Sequence, residues 1–180
     1  MKKEYRFDYE TLGAIGDMPQ ADGELCARAK EACGSAFAPY SGFRVGAAAR
    51  LRSGLILTGS NQESEVFPAG MCAERTLLFH WQAHHSGSGG SDVGAGGGTG
   101  ANGDFGDPQN ASEATLDPIE TIAIASIPGE RECYPCGQCR QLLLDTERRQ
   151  QSPIRIIMCG DATASAVGSA RELLPFQFEL

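Results

Sequence analysis

Three cysteines lie in two segments whose residue types and spacing are typical of a metal site. Cys136 and Cys139 are three residues apart, so at the start of a helix they would share one face. Cys72, in the segment 68–76, would supply a third thiolate. Three thiolates leave one position of a tetrahedral zinc ion open for water, as in catalytic sites, whereas structural zinc sites use four protein ligands. The pattern therefore predicts that Cys72, Cys136 and Cys139 bind a catalytic zinc ion.

Other interpretations of these cysteines remain open from the sequence. They could be three buried structural thiols, or Cys136 and Cys139 could form a redox Cys-x-x-Cys pair. A redox pair would explain neither Cys72 nor the acidic residue that follows it. Four cysteines lie outside the pattern and are interpreted as structural or incidental: Cys26, Cys33, Cys133 and Cys159. Cys133 is the one competitor as a ligand, but it lies before Tyr134 and Pro135, outside the pattern.

Glu74 and Arg75 directly follow the first cysteine segment. Glu74 is placed to move protons beside a metal-bound water, although a glutamate in the first turn of a helix can also simply favour the helix dipole. Arg75 lies three residues after Cys72 on the same helix face and can donate to a ligating sulfur. The alternative for Arg75 is an ordinary solvent-facing arginine.

The combination of Cys72, Glu74 and Cys136-x-x-Cys139 resembles the signature of the zinc nucleobase deaminases, with a cysteine in the first ligand position. The resemblance extends beyond the metal motif. Segment 40–48 looks like the first strand of the cytidine deaminases, segment 59–63 like their ribose-binding segment, and segment 173–178 like their C-terminal ending. The chain is therefore similar to the small three-cysteine cytidine deaminases, which act on free nucleosides.

This resemblance implies a function and a set of site residues. It implies deamination of cytidine and deoxycytidine to uridine and deoxyuridine plus ammonia in pyrimidine salvage, with one Zn²⁺ per subunit of a homotetramer whose active sites are composite. Glu74 would carry the proton from water to N3 of cytosine, and Arg75 would contact a ligating sulfur. The implied substrate-binding residues are Phe43, which packs against the base, the ribose-binding pair Asn61 and Glu63, Ala73, and Phe178, which closes over the base from another subunit.

Several of these residues also have ordinary structural interpretations. Asn61 and Glu63 are two apart on an extended segment, so both side chains would point the same way, but they could equally be polar residues at a strand end. Phe43 could be strand core, and Phe178 could be a tail residue that covers the core. The chain also departs from the family pattern after Glu63: Glu65 is charged where a small residue is usual, and Phe67 lacks the hydroxyl of the usual tyrosine.

Alternative functions share the metal motif. One is deamination of a modified aminopyrimidine nucleoside such as blasticidin S, which the Asn61-Gln62-Glu63 segment disfavours. Another is action on polynucleotides, which the net charge of −8 disfavours because nucleic-acid binding requires a basic surface. The non-enzymatic alternative is a structural zinc module or an inactive homologue, against which an intact Glu74 and only three motif cysteines argue.

Composition limits the class of protein. A length of 180 residues predicts one domain with enough chain for a buried core. Met1, Lys2 and Lys3 are followed by charged residues rather than by the apolar run of a signal peptide, and no segment is apolar enough to span a membrane, so a cytoplasmic location is expected. An odd count of seven cysteines favours metal ligands and free thiols over a disulfide framework.

Strands alternate with helices along the chain, which predicts an α/β fold. The expected architecture is a three-layer α/β/α sandwich with a mixed central sheet of about five strands. Residues 1–20 are interpreted as an N-terminal extension and residues 21–180 as a single deaminase domain. The predicted helices cover residues 21–37, 71–81 and 136–149, with a short capped helix from Ser169; the predicted strands cover residues 43–52, 55–61, 119–127, 154–159 and 164–167.

The segment 84–117 differs sharply from the rest of the chain. It is rich in glycine and contains acidic residues but no lysine or arginine. Such a segment lacks the apolar side chains needed to form a core, so we expect a flexible or disordered insert, most simply a tolerated surface insertion. His80, His84 and His85, at its beginning, are interpreted as solvated surface residues.

Overall fold

The computed structural model describes residues 2–85 and 116–179, which form six β-strands, three α-helices and four short 3-10 helices. Within these ranges, no helix combines the length and the apolar character needed to cross a membrane. The helices are α1 (Gln20–Ala32), α2 (Ala73–His85) and α3 (Gly137–Gln150). The strands are β1 (Glu10–Leu12), β2 (Arg44–Leu51), β3 (Ile56–Ser60), β4 (Ile119–Ile127), β5 (Arg155–Cys159) and β6 (Ala164–Val167).

The strands form one mixed sheet in the order β1-β6-β5-β4-β2-β3. Among the neighbouring strands of this sheet, β4 and β5 are the one pair with parallel pairing, and α3 makes the crossover between them. β2 and β3 form the predicted hairpin, in which Gly54 has a φ of 91°, a backbone conformation that favours glycine. The predicted α/β class with a mixed sheet is confirmed, but the sheet has six strands rather than about five.

The sixth strand comes from the segment predicted as an N-terminal extension. β1 pairs antiparallel with β6, with Glu10 opposite Ala166 and Leu12 opposite Ala164. The same segment reaches the C-terminal part of the chain, where the Tyr5 hydroxyl donates to the Arg171 carbonyl at 3.0 Å. The sequence did not predict this strand because it has only three residues, of which Leu12 alone is partly buried.

Helices cover both faces of the sheet, which makes the three predicted layers. The side chains of Ala47 and Ala49 on β2 pack into the core shared with α2 and α3, while the side chain of Ala48 packs into the core shared with α1. All three alanines are fully buried, as expected for a strand whose alternate residues face opposite layers.

Two glycines allow helices to approach the sheet closely. A Cβ on Gly46 would lie 2.0 Å from the carbonyl oxygen of Ala29 in α1. A Cβ on Gly59 would lie 2.8 Å from the backbone nitrogen of Leu77 and 2.9 Å from the carbonyl oxygen of Ala73. The first turns of α2 therefore lie directly on β3, and this contact fixes the position of the residues at the start of α2.

Most of the predicted insert 84–117 lies outside the described residues, but its two ends do not. α2 continues through His85, and the Asp117 backbone N–H donates to the His85 carbonyl at 3.1 Å. The indole N–H of Trp81 donates to the Asp117 carbonyl at 2.8 Å. The four end residues 84, 85, 116 and 117 therefore belong to the packed body of the protein, which corrects the predicted boundaries of the insert.

Candidate active site

Two helix N-termini bring the three motif cysteines together. Cys72 directly precedes α2, Cys136 is the N-cap residue of α3, and Cys139 lies in the first turn of α3. The Sγ atom of Cys136 is 3.8 Å from that of Cys72 and 3.5 Å from that of Cys139. All three Sγ atoms lie within 4.8 Å of one another. The structure thus assembles the cluster that the spacing predicts.

The cluster fits a zinc ion. With zinc–sulfur bonds of about 2.3 Å, two sulfurs of a tetrahedral site are separated by roughly 3.8 Å, close to the distances between these Sγ atoms. Across residues 2–85 and 116–179, this is the one group of three or more cysteine, histidine or carboxylate ligands close enough to share a metal. Cys133 is buried nearby but does not belong to the group.

The surroundings of Cys72 favour its thiolate. Hydrogen bonds from Cys139 and Cys136 lower the pKa of Cys72 to about 5, and the positive charge of Arg75 acts in the same direction. The hydrogen bond to Cys72 raises the pKa of Cys139, so Cys72 ionises before Cys139. The Arg75 guanidinium also donates to the Gly70 carbonyl at 2.9 Å, which holds it at the start of α2.

Glu74 lies beside the cluster in the first turn of α2. Glu74 is only 3% exposed. Burial, together with the negative charge of Cys72, raises the pKa of Glu74 to about 7. A carboxyl group with a pKa near neutrality can both accept and release a proton, as a general acid–base requires.

A cavity of about 440 Å³ opens onto the cluster and Glu74. Its volume is in the usual range for sites that bind small molecules. The structure brings most of the predicted site residues into its walls, where they lie together with residues that the sequence analysis did not select. The predicted residues are Phe43, Asn61, Glu63, Cys72, Glu74, Arg75 and Cys136, and the additional ones include Ser41, Phe67, Met71, Cys133 and Tyr134. Met71 directly precedes Cys72, and Tyr134 lies two residues before Cys136, which is the signal that could have identified them.

The side chains of Asn61 and Glu63 also form hydrogen bonds that hold two segments of the cavity wall together. The Asn61 Oδ1 atom accepts from the Val45 backbone N–H at 2.8 Å, and its Nδ2 atom donates to the Phe43 carbonyl at 2.9 Å. The Glu63 carboxylate accepts from the Ser41 hydroxyl and from two backbone N–H groups, of Tyr40 at 2.9 Å and Ser41 at 3.2 Å. These hydrogen bonds, led by that of the Ser41 hydroxyl, lower the pKa of Glu63.

Two predicted substrate-binding residues lie outside the cavity wall. The Ala73 side chain is fully buried in the core that α2 shares with the sheet. Phe178 lies along α3, where its backbone carbonyl accepts from Gln141 and Arg148. The Phe178 side chain is 64% exposed and does not reach the cavity of its own chain.

Comparisons with known proteins find cytidine deaminases among curated proteins and among solved structures. A cytidine deaminase of Mycobacterium tuberculosis is 30% identical over 156 residues, covering 84% of this chain and 93% of the relative. A cytidine deaminase of Sporosarcina psychrophila is 43% identical over 124 residues, covering 68% of this chain and 67% of the relative. The crystal structure of cytidine deaminase from Burkholderia pseudomallei superposes with a TM-score of 0.58 at 28% identity, covering 86% of this chain and 97% of that one. No protein-family model matches the chain. On its similarity to the mycobacterial relative along nearly all of that protein's length, the chain belongs to the cytidine deaminase family.

Proposed function

We propose that the protein catalyses the zinc-dependent hydrolytic deamination of cytidine and deoxycytidine to uridine and deoxyuridine plus ammonia, as a step of pyrimidine salvage. The observation that carries the proposal is the buried Glu74 carboxyl group beside the three-cysteine cluster at the cavity. The cytidine deaminases to which the chain is similar support the same substrate class.

Cys72, Cys136 and Cys139 would hold one zinc ion per subunit, which supplies the Lewis acidity that makes water nucleophilic at neutral pH. Three thiolates and a divalent ion have a formal net charge of −1. Arg75 and the N-termini of α2 and α3 offset this charge, because each presents positive charge or partial positive charge to the sulfurs.

Glu74 would act as the proton carrier. Its carboxylate accepts a proton from the attacking water, delivers it to N3 of the pyrimidine, and then assists departure of the C4 amine as ammonia. Because Glu74 is nearly fully buried, bulk water has little access to the proton during this transfer.

Residues of the cavity wall would select a nucleoside over a free base. Phe43 packs against the base, while Asn61 and Glu63 accept from the ribose hydroxyls. The hydrogen bonds already made to the protein leave room for this, since one lone pair of Asn61 Oδ1 and at least one of the Glu63 carboxylate remain free. Ala73 would contribute through its backbone, since its side chain is buried in the core.

We further propose a homotetramer with composite sites. Val66 and Phe67, near the cavity, are 66% and 72% exposed, and exposed apolar side chains at one place are typical of a protein–protein contact. Phe178, exposed and held on α3 by its backbone, would close over the base bound to a neighbouring subunit. Sedimentation equilibrium measures this directly, and a monomeric mass would contradict it.

An ultraviolet assay of the zinc-loaded protein with cytidine, deoxycytidine and cytosine tests the proposed reaction. We expect turnover of both nucleosides but not of cytosine, and a fall in kcat of at least about 10²-fold for Glu74→Gln, which is the smaller end of what a general acid–base contributes. The zinc content of the variant should be unchanged.

The same assay with blasticidin S as a fourth substrate tests the alternatives. Turnover of blasticidin S without turnover of cytidine would assign the site to modified aminopyrimidine nucleosides. No turnover of any of these compounds by the zinc-loaded protein would indicate an inactive structural homologue.

A further inference from the structure

Three histidines gather at the C-terminal end of α2, far from the cavity. The ring centroids of His80 and His84 are 4.3 Å apart, with the ring planes tilted by 33°. These two residues are four apart on the helix and therefore lie on one face, where both are exposed. His85 is set apart from the pair, since its ring centroid lies 6.2 Å from that of His80 and 6.5 Å from that of His84.

The hydrogen bond of His84 defines its tautomer. The Nδ1 atom of His84 lies 2.8 Å from the carbonyl oxygen of His80. A carbonyl oxygen only accepts, so Nδ1 carries the proton and the lone pair of Nε2 is free. Histidines that bind metals usually donate their other ring N–H in this way, because the bond fixes the tautomer and the orientation of the ring.

His80 favours the neutral form that metal binding requires. Partial burial, followed by the nearby His84 and His85 imidazoles, lowers the pKa of His80. Two imidazoles on one face of a helix at a spacing of four residues are the arrangement that binds zinc in the H-E-x-x-H metalloproteases.

We propose that His80 and His84 chelate one divalent late transition-metal ion, of the class of Zn²⁺, Ni²⁺ or Cu²⁺, at a surface site separate from the three-cysteine cluster. Imidazole nitrogen suits these ions, and water completes their coordination. His80 is eight residues beyond Cys72, which places the two sites about 12 Å apart along the helix axis. The surface site does not depend on the proposed deaminase activity.

Calorimetric titration of the zinc-loaded protein with Ni²⁺ tests the proposal. We expect one Ni²⁺ per chain beyond the resident zinc. His80→Gln and His84→Gln should each weaken Ni²⁺ binding by more than about tenfold, since the loss of even an outer partner of a metal ligand costs roughly 10- to 100-fold in affinity. The matched control is His85→Gln, which removes the same side chain one residue away and should leave the affinity unchanged.

Three results would overturn the chelate. They are the absence of Ni²⁺ binding to the zinc-loaded protein, binding that survives both His80→Gln and His84→Gln, and an equal loss in His85→Gln. Circular dichroism checks that each variant keeps its helices. Cytidine turnover by His84→Gln should equal that of the parent protein, so a failure of the metal proposal is distinguishable from a failure of the proposed function.

Discussion

At the residue scale, Cys133 differs from the three cysteines of the cluster in its position. Burial, together with the charge of Glu74, raises the pKa of Cys133 to about 12, and its sulfur does not belong to the group that lies close enough to share a metal. Cys136, at the start of α3, is exposed, and its sulfur lies near those of both other cluster cysteines.

A pair of alanine substitutions tests this distinction. Cys136→Ala should lose nearly all bound zinc after dialysis against a chelator, because two thiolates hold the ion far less tightly than three. Cys133→Ala should retain one zinc per chain and show only a modest loss of stability, about 1 kcal/mol for a small buried cavity. Metal analysis by mass spectrometry gives the ratio. Loss of zinc from Cys133→Ala would return Cys133 to the ligand set.

The sequence predicts contacts between site residues that are close along the chain better than contacts between distant segments. The spacing of Cys136 and Cys139 along one helix is a local property, and the motif shared with known deaminases adds Cys72 and Glu74. The ties of Asn61 to Val45 and of Glu63 to Ser41 join segments that only the folded sheet brings together, so no spacing along the chain predicts them. For the same reason the position of Ser41 in the cavity wall emerged only from the structure.

At the element scale, α2 begins beside the cysteine cluster and carries Glu74 in its first turn. Its contact with β3 determines its position. Gly59 makes this contact possible, since a side chain there would meet the backbone of the first two turns of α2. A backbone neighbour has little freedom to move away, unlike the end of a flexible side chain. The position of Glu74 relative to the cluster thus depends on a residue that touches neither.

Gly59→Ala should therefore destabilise the protein by at least about 1–3 kcal/mol, the usual range for overpacking. It should also weaken zinc binding, because the start of α2 has to shift away from β3 and so changes the position of Cys72 relative to the two cysteines of α3. Gly34→Ala is the matched control, since a Cβ at that position meets nothing within 4 Å. Thermal unfolding and metal analysis of both variants provide the measurement. Equal stability of the two would show that α2 accommodates the methyl group without moving.

The helices and strands with a clear hydrophobic or capping pattern in the sequence were the ones that could be predicted. The β-branched run of β4 predicted the observed bounds, Ile119–Ile127, because most residues of this central strand are apolar and buried. The capping box at Ser169 is present, with Glu172 as its second member. β1 escaped prediction because an edge strand of three mostly exposed residues has no apolar alternation, and its pairing with β6 is decided by tertiary structure.

At the scale of the whole molecule, the described residues on either side of residues 86–115 are joined by hydrogen bonds. The Asp117 carboxylate accepts from the Ser53 backbone N–H at 3.0 Å and from the Ser53 hydroxyl at 2.6 Å. Together with the bonds to Trp81 and His85, these bonds hold Asp117 against both α2 and the β2–β3 hairpin. His85 and Asp117 are thus held next to each other by the described part of the chain.

The length of the segment 86–115 should therefore have little effect on stability. Loss of Asp117, which anchors the chain after this segment, should have a large effect. Replacing residues 86–115 by a short Gly-Ser link keeps Asp117 and should leave zinc content, cytidine turnover and oligomer size unchanged, because loop-closure entropy varies only slowly with length.

Replacing residues 84–117 removes the anchor and leaves the Trp81 N–H without its partner. The lost hydrogen bonds should cost about 2–3 kcal/mol, or roughly 4–10 °C in Tm for a chain of this size. A collapse of zinc content or oligomer size in the shorter deletion would show that residues 86–115 contribute to the site or to assembly. Equal Tm values for the two deletions would show that Asp117 is not an anchor.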